Sequence, residues 1–328
     1  MRYVVIGAGA IGGGVGGLLH RAGVDTTLVA RGDHLEVLRD EGLRLTVGAD
    51  AEEVLDVPAV GHPGEARWDD ETVVLLAVKS QQTAAALADL LPHLAPSTPV
   101  VSLQNGVANE RTLLRHVEHV HAVTVMMPAS HLEPGRVTVH SAGRPGLLDI
   151  GRYPTGVDDV DLAVSADLVT AGFESVPRPD AMAWKHRKLL MNLGNAVDAA
   201  CTPGDAAQEL VRRCRAEGEQ VLAAAGVAVT SQDDDLARRG QLLRPLVDRE
   251  GVGSSSWQSV QRGTGDVEAD HLNGEVVLLG RLHGVPAPAN ERARRTVNDL
   301  VRRQGPPRSV DAASLLAALD GGGQSARS

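Results

Sequence analysis

Three stretches of the chain hold residue types whose spacing suits chemistry. In the first, Gly7-Ala8-Gly9-Ala10-Ile11-Gly12 follows the apolar run Tyr3–Ile6 and opens a helical pattern. This context separates a phosphate cradle from a simple glycine turn: Gly7 permits a tight bend, and Gly9 lets the backbone approach a pyrophosphate. Ala10, Ile11 and Gly12 begin a helix whose free N–H groups and positive dipole end attract that anion. Gly13, Gly14, Gly16 and Gly17 continue the run. Each costs about 1 kcal/mol relative to alanine, so this helix requires close packing to hold it.

The end of the second strand discriminates between dinucleotides. A carboxylate there bonds a ribose 2′-hydroxyl, whereas an arginine accommodates a 2′-phosphate. Leu28-Val29-Ala30 runs into Arg31, with Asp33 nearby, which points to NADP(H). Next, Lys79-Ser80-Gln81-Gln82 follows the run Val73–Val78, and Gln104-Asn105-Gly106 follows Pro99–Leu103. Polar residues at the carboxyl ends of parallel strands fall where such folds bind ligands, so Lys79 and Asn105 are site candidates.

In the second half, Lys188 and Asn192 stand at i and i+4 and share one helix face. An ammonium beside an amide can protonate and orient a carbonyl oxygen. Ser254-Ser255-Ser256-Trp257 then precedes Glu268-Ala269-Asp270-His271-Leu272-Asn273-Gly274. Taken alone, Glu268 reads as a first-turn charge complementing a helix dipole.

These residues need elements to position them. Short aliphatic runs alternate with amphipathic stretches up to about residue 175, the pattern of βαβ units and a mainly parallel sheet. Strands are expected at Tyr3–Ile6, Thr26–Val29, Val73–Val78, Pro99–Leu103, Ala122–Met126, Arg136–His140, Leu147–Ile150 and Phe173–Val176. Pro177-Arg178-Pro179 then breaks the chain. Helical periodicity follows over Trp184–Asn195, Pro203–Ala225, Asp233–Leu246, Val267–Leu282 and Glu291–Arg303. The fold class is therefore α/β, with an α/β domain over 1–178, an all-helical domain over 179–320 and a disordered Gly/Ser-rich tail at 321–328.

Composition limits the partners. The 328 residues include only six aromatics (Tyr3, Trp68, Tyr153, Phe173, Trp184 and Trp257), too few for a base-stacking platform. A net charge of −10 opposes binding to nucleic acid or anionic membranes. Cys201 and Cys214 have no metal spacing and fit a reducing compartment. His116, His119 and His121 straddle a helix end and a strand start, so their rings should not converge and no metal site is expected. Seven glycines over residues 7–17 make a poor signal-peptide core, and the longest aliphatic run is too short for a membrane span. A cytoplasmic protein is expected.

In this order the motifs resemble the ketopantoate reductase family: GAGAIGG at 7–13, arginine after the second strand, VKSQQ at 78–82, LQNG at 103–106, KLLMN at 188–192, SSSW at 254–257 and E-x-D-x-x-N-G at 268–274. The likeness covers residues 1 to about 305. It implies an N-terminal Rossmann domain and a helical C-terminal domain resembling that of 6-phosphogluconate dehydrogenase. The implied activity is NADPH-dependent reduction of a small 2-oxo acid, most directly 2-dehydropantoate (ketopantoate) to pantoate, by a possible homodimer. By the resemblance, Lys188 is the general acid and Glu268 contacts the substrate hydroxyl. Asn105 and Asn192 position substrate and nicotinamide, Ser256 meets the substrate carboxylate, and Lys79 and Gln82 lie on the cofactor side.

Three departures bear on the substrate. Gly253 stands where the family's ketopantoate reductases tend to place an asparagine. His186 stands where a tryptophan is usual, and HAVTVMMPA at 121–129 replaces a Gly/Thr-rich strand. They leave open a same-family enzyme acting on another oxo or hydroxy acid. A non-catalytic NADP(H)-sensing module is a further alternative.

Overall fold

A computed structural model describes residues 1–240, 242–243, 253–263 and 265–322. It forms two compact units. One takes Met1–Lys185 and returns at Thr230 for one more helix; the other takes His186–Val229 and the described residues from Gly253 onward. The division falls between Lys185 and His186, and the chain crosses it again at Thr230.

The first unit contains strands β1 (Arg2–Ile6), β2 (Asp25–Val29), β3 (Leu43–Val47), β4 (Glu53–Leu55), β5 (Ala59–Val60), β6 (Thr72–Leu76), β7 (Val100–Ser102), β8 (Val120–Met126), β9 (Ala129–Ser130), β10 (Arg136–Val139) and β11 (Leu147–Arg152). Its helices are α1 (Ala10–Arg21), α2 (Gly32–Glu41), α3 (Thr83–Leu90), α4 (Asn109–Leu113) and α5 (Asp159–Thr170), and α6 (Ala181–Asn192) begins here. Seven strands form one sheet in the order β11-β8-β7-β6-β1-β2-β5, parallel except for the β11–β8 pair. The other four form a second sheet, β4-β3-β10-β9. Its strands β4 and β9 are too short to show a pattern, and β3, in which Leu43, Leu45 and Val47 alternate with Arg44 and Thr46, also lies outside the expected strands.

Packing explains the glycines of α1. The helix lies between the two sheets, and its small residues face both. A Cβ on Gly16 would come 2.5 Å from Leu28 Cδ2 in β2, and one on Gly17 would come 2.7 Å from Leu43 Cδ2 in β3. Close approach of two layers thus outweighs poor helix propensity. Around α1 lies a core that includes Tyr3, Val5, Leu18, Leu28, Leu43, Val137 and Phe173; the opposite residues of β1, Val4 and Ile6, join Val74, Leu76, Leu87, Leu90 and Val100.

The run at Phe173–Val176 makes no strand, only single bridges of Leu147 with Glu174 and Ile150 with Pro177, because between them the Val176 N–H donates to Asp149 Oδ1 and the Ser175 hydroxyl to Leu148 O. His121, on β8, turns its Nδ1 to Asp161 Oδ1 at 2.8 Å rather than toward His116 or His119. Asp161 and Asp158 form the reciprocal N-cap of α5.

Beyond α6 the second unit has α7 (Asn195–Ala200) and α8 (Asp205–Ala224); α9 (Gln232–Arg239) belongs to the first unit, and α10 (Ser255–Gln261), α11 (Asn273–His283), α12 (Pro288–Arg302) and α13 (Ala312–Gly322) belong to the second. The helix expected at Asp233–Leu246 stops at Arg239, and residues 241 and 244–246 lie outside those described. That expected at Val267–Leu282 is split into a 3₁₀ turn, Glu268–His271, and α11. Of the expected disordered tail, Gly321 and Gly322 end α13; residues 323–328 lie outside those described. Both cysteines are buried and unpaired in disulfides, and burial pushes the Cys201 thiol up to about 11. Among the described residues no helix is long and apolar enough to cross a membrane.

Candidate active site

In the first unit the glycine turn sits at the carboxyl end of β1. Gly7 adopts φ +97°, and a Cβ there would lie 2.8 Å from Val78 Cγ1, so both conformation and space demand glycine. At Gly12 a Cβ would run into the Gly7 carbonyl oxygen, which fixes the helix close to the turn. Gly9, the N-cap of α1, is different: a Cβ there would meet nothing within 4 Å. The α1 N-terminus has no side-chain cap and no acid in its first turn. An open backbone approach with uncapped N–H groups fits the pyrophosphate of a nicotinamide dinucleotide, and Ala10 and Ile11 supply the first turn.

Arg31 is the N-cap of α2, directly past β2. Its guanidinium meets Asp89 Oδ2 of α3 at 2.5 Å, with the arginine side chain 68% and the aspartate 36% exposed. Both groups stay wet, so the pair is weak. Sequence spacing gave no sign of Asp89, which is remote in the chain.

The strand-end motifs are joined by a buried polar network. Ser80 donates to the Asn105 carbonyl at 3.4 Å, and Asn109 Nδ2 donates to the same carbonyl at 3.2 Å and to Ser80 Oγ at 3.0 Å. Gln104 Nε2 donates to Val78 O and to Thr83 Oγ1, each at 2.9 Å. Thr83 in turn donates to Asn109 Oδ1 at 3.1 Å. The structure therefore brings the turn Lys79-Ser80 and Asn105 together. Gln82 is exposed, and its Oε1 accepts the Lys79 N–H at 3.3 Å, closing the turn after β6.

The network ends on an ion pair that sequence reasoning missed. Lys185 Nζ lies 2.7 Å from Glu110 Oε1, with the two side chains 2% and 0% exposed. Lys185 also donates to Gln104 O at 2.7 Å and to Val123 O at 3.2 Å. Local sequence hid the pair: Lys185 stands among the basic residues His186, Arg187 and Lys188, and Glu110 beside Arg111, where both read as ordinary surface charges.

In the second unit three motifs gather around the end of α6. Lys188 is half-buried, whereas Asn192, Ser256 and Glu268 are buried. Asn273, the first residue of α11, donates to Leu193 O at 3.0 Å and to Asn290 Oδ1 at 3.0 Å, tying the turn that carries Glu268 to the residue after Asn192. Asn290 and its N–H are held by Glu217 of α8. The Ser254 N–H donates to Asp198 Oδ2 of α7 at 2.7 Å and its hydroxyl to Asn195 O at 3.4 Å, which seats the helix of Ser256 beside the same point. Arg308 also pairs with Asp198 at 2.8 Å; hydrogen bonds from the Ser254 N–H and this pairing hold the carboxyl below its usual range against its burial.

Gly253 departs from the family pattern for a visible reason. A Cβ there would lie 2.7 Å from Trp257 Cβ and closer still to the indole ring. The tryptophan fills the space that an asparagine would need. A cavity of about 420 Å³ elsewhere in this unit is lined by residues such as Asp198, Gln208, Arg212 and Arg215, and by none of the candidates Lys188, Asn192, Ser256 or Glu268.

Comparison with known proteins gives the geometry its context. Residues 3–155 match the model of the family described as ketopantoate reductase PanE/ApbA, and residues 180–300 match that of its C-terminal domain. A 2-dehydropantoate 2-reductase from Halobacterium salinarum is 34% identical over 324 residues, covering 92% of this chain and 98% of the relative. One from Pyrococcus horikoshii is 29% identical, with 88% and 94% covered. The crystal structure of a PanE/ApbA family ketopantoate reductase from Ralstonia eutropha JMP134 superposes with a TM-score of 0.79 at 30% identity, covering 93% and 99%. D-Mandelate dehydrogenase, solved with NADH and anilino(oxo)acetate, shares the fold with a TM-score of 0.77 at 21% identity. With both halves matched in order and 98% of the Halobacterium salinarum relative spanned, this chain belongs to the ketopantoate reductase family and is an oxidoreductase of the C=O/CH–OH group.

Proposed function

We infer that the protein reduces a small 2-oxo acid with NADPH, most directly ketopantoate to pantoate. The observation that carries this reading is that Asn273, just after the turn of Glu268, and Ser254, just before Ser256, bond to Leu193 and Asn195, directly beyond the α6 residues Lys188 and Asn192. The relatives named 2-dehydropantoate 2-reductase supply the substrate class, and the NADH complex of D-mandelate dehydrogenase supports a nicotinamide cofactor. Arg31 at the ribose corner favours NADP(H) over NAD(H).

When bound, the nicotinamide supplies a hydride to the carbonyl carbon. The glycine turn 7–12 seats its pyrophosphate, Lys79 and Gln82 border it, and Asn105 orients the ring and the substrate. Lys188 places an ammonium at the substrate carbonyl oxygen and gives it a proton as negative charge develops. Asn192 orients that oxygen, Ser256 holds the carboxylate, and Glu268 accepts from the substrate hydroxyl. The same reading takes the chain as a cytoplasmic homodimer, which sedimentation velocity checks.

Steady-state assays with ketopantoate and a panel of 2-oxo acids, with NADPH and NADH, test the reaction. Lys188→Ala should lower kcat by about 10²–10⁴-fold while NADPH still binds; unchanged turnover would remove Lys188 as the acid. A second reading, the same chemistry on another 2-oxo acid, is favoured by Trp257 occupying the space beside Gly253. Low kcat/KM for ketopantoate beside a high value for another acid would select it.

A further inference from the structure

We propose that Lys185, paired with Glu110, is a positioning residue that sets the main chain of Asn105. This rests on the reading of Asn105 as the amide that orients nicotinamide and substrate. An ammonium has three N–H donors; Lys185 gives two of them to Gln104 O and Val123 O, and its charge lies 2.7 Å from Glu110 Oε1. An ammonium buried against these carbonyls and this carboxylate is no proton donor to substrate, although it stands one helical turn before Lys188 on α6.

The consequence falls on residue 105. The peptide before it is held through Gln104 O by Lys185 at 2.7 Å. The peptide after it is held through Asn105 O by Asn109 at 3.2 Å and Ser80 at 3.4 Å. Gln104 is further pinned by its own side chain on Val78 O and Thr83. Both peptide planes flanking the Asn105 Cα are thereby fixed, which fixes the direction in which its side chain leaves the backbone.

Two buried charges are a costly way to fill space, since apolar residues of like volume commonly serve stability as well or better. What an apolar pair cannot do is donate to the Gln104 and Val123 carbonyls. Glu110, on α4 and five residues beyond Asn105, supplies the countercharge that lets the ammonium sit there.

The test separates positioning from folding by neutralising both partners together, in the full-length chain, as Lys185→Met/Glu110→Gln and as Lys185→Met/Glu110→Leu. At least one neutral pair should keep a thermal midpoint within about 4 °C of the parent, the shift expected for 1 kcal/mol in a chain of this size or smaller. That variant should lose on the order of 10²-fold in kcat, the effect of a misplacement near 1 Å, with the Kd for NADPH by fluorescence titration within about threefold of the parent. Combined with Asn105→Ala, it should add no further loss, because both changes remove the same orientation. Recovery of kcat together with the midpoint would make the pair merely structural and overturn the proposal. So would losses that multiply with those of Asn105→Ala, or unfolding of both neutral pairs. If Asn105→Ala alone leaves kcat unchanged, the reading of Asn105 fails first, and the proposal with it.

Discussion

The imidazole Nε2 of His34 lies 2.8 Å from the carbonyl oxygen of Ala8, and its Nδ1 accepts the Gly135 N–H at 2.8 Å. Because a backbone N–H only donates, Nδ1 is the acceptor and Nε2 carries the hydrogen that Ala8 receives. One neutral tautomer thus joins α2, the loop before β10 and the glycine turn. Burial holds this histidine below its ordinary 6.5, outweighing the bond to Ala8.

His34→Ala should leave the Ala8 carbonyl and the Gly135 N–H without this partner and loosen the turn. A cost of about 1–3 kcal/mol corresponds to NADPH affinity lower by roughly 5- to 150-fold, read by fluorescence titration. The pH dependence has a definite sign. Since the folded value is depressed, the unfolded chain takes the proton first, so the stability contributed by His34 is full above about pH 6.5 and is lost as pH falls toward the folded value. Urea midpoints measured from pH 8 to 5 should show this slope in the parent and a shallower one in His34→Ala.

Arg31 and Asp89 predict cofactor preference. Arg31→Ala should reduce the preference for NADPH over NADH by about 10- to 150-fold, the worth of a charge-assisted bond of 1.5–3 kcal/mol to phosphate. Asp89→Ala should act oppositely, but only by up to about fivefold, because an exposed pair contributes at most about 1 kcal/mol. Paired Kd measurements for the two cofactors check both directions, and equal effects on NADPH and NADH would refute the assignment of Arg31.

At Gly253 the expectation is steric. Gly253→Asn forces Trp257 aside and should destabilise the protein by about 1–3 kcal/mol in chemical denaturation. Gly253→Asn/Trp257→Ala opens the space and should regain much of that loss. It should also raise the ratio of kcat/KM for ketopantoate over an analogue lacking its hydroxyl by about two- to tenfold, the worth of one hydrogen bond.

Asn273→Leu removes the donor to Leu193 O and to Asn290 Oδ1 while keeping the branching of the side chain. Two buried acceptors lose a partner, so a loss of about 2 kcal/mol or more is expected. Because Leu193 follows Asn192, turnover should fall as well. A variant with reduced stability and parental kcat would show that α6 ends correctly without Asn273.

Much of the candidate site was legible because its parts are local. The glycine turn, Arg31 past β2, the polar ends of β6 and β7, and the i, i+4 pair Lys188 and Asn192 each lie within a few residues. What spacing could not show were partners brought in from afar. Lys185 meets Glu110 across 75 residues of chain, Asp89 meets Arg31 across 58, and Gly135 meets His34 across 101. Parts of the second sheet escaped because its strands β4 and β9 have three and two residues, too short for a period to register.

Sequence by itself determined the βαβ alternation, the glycine turn after β1, the helical second half and the order of family motifs. These follow from periodicity and from backbone conformations that only certain residues adopt. Tertiary structure decided that α1 lies between two sheets, that Lys185 pairs with Glu110 and donates to Gln104 O, that Trp257 fills the space beside Gly253 and that Asn273 and Asp198 tie the segments of Glu268 and Ser256 to residues just past α6. Those outcomes depend on distances between segments remote in the chain. They are set by how layers pack and how buried polar groups find partners, which no local pattern encodes.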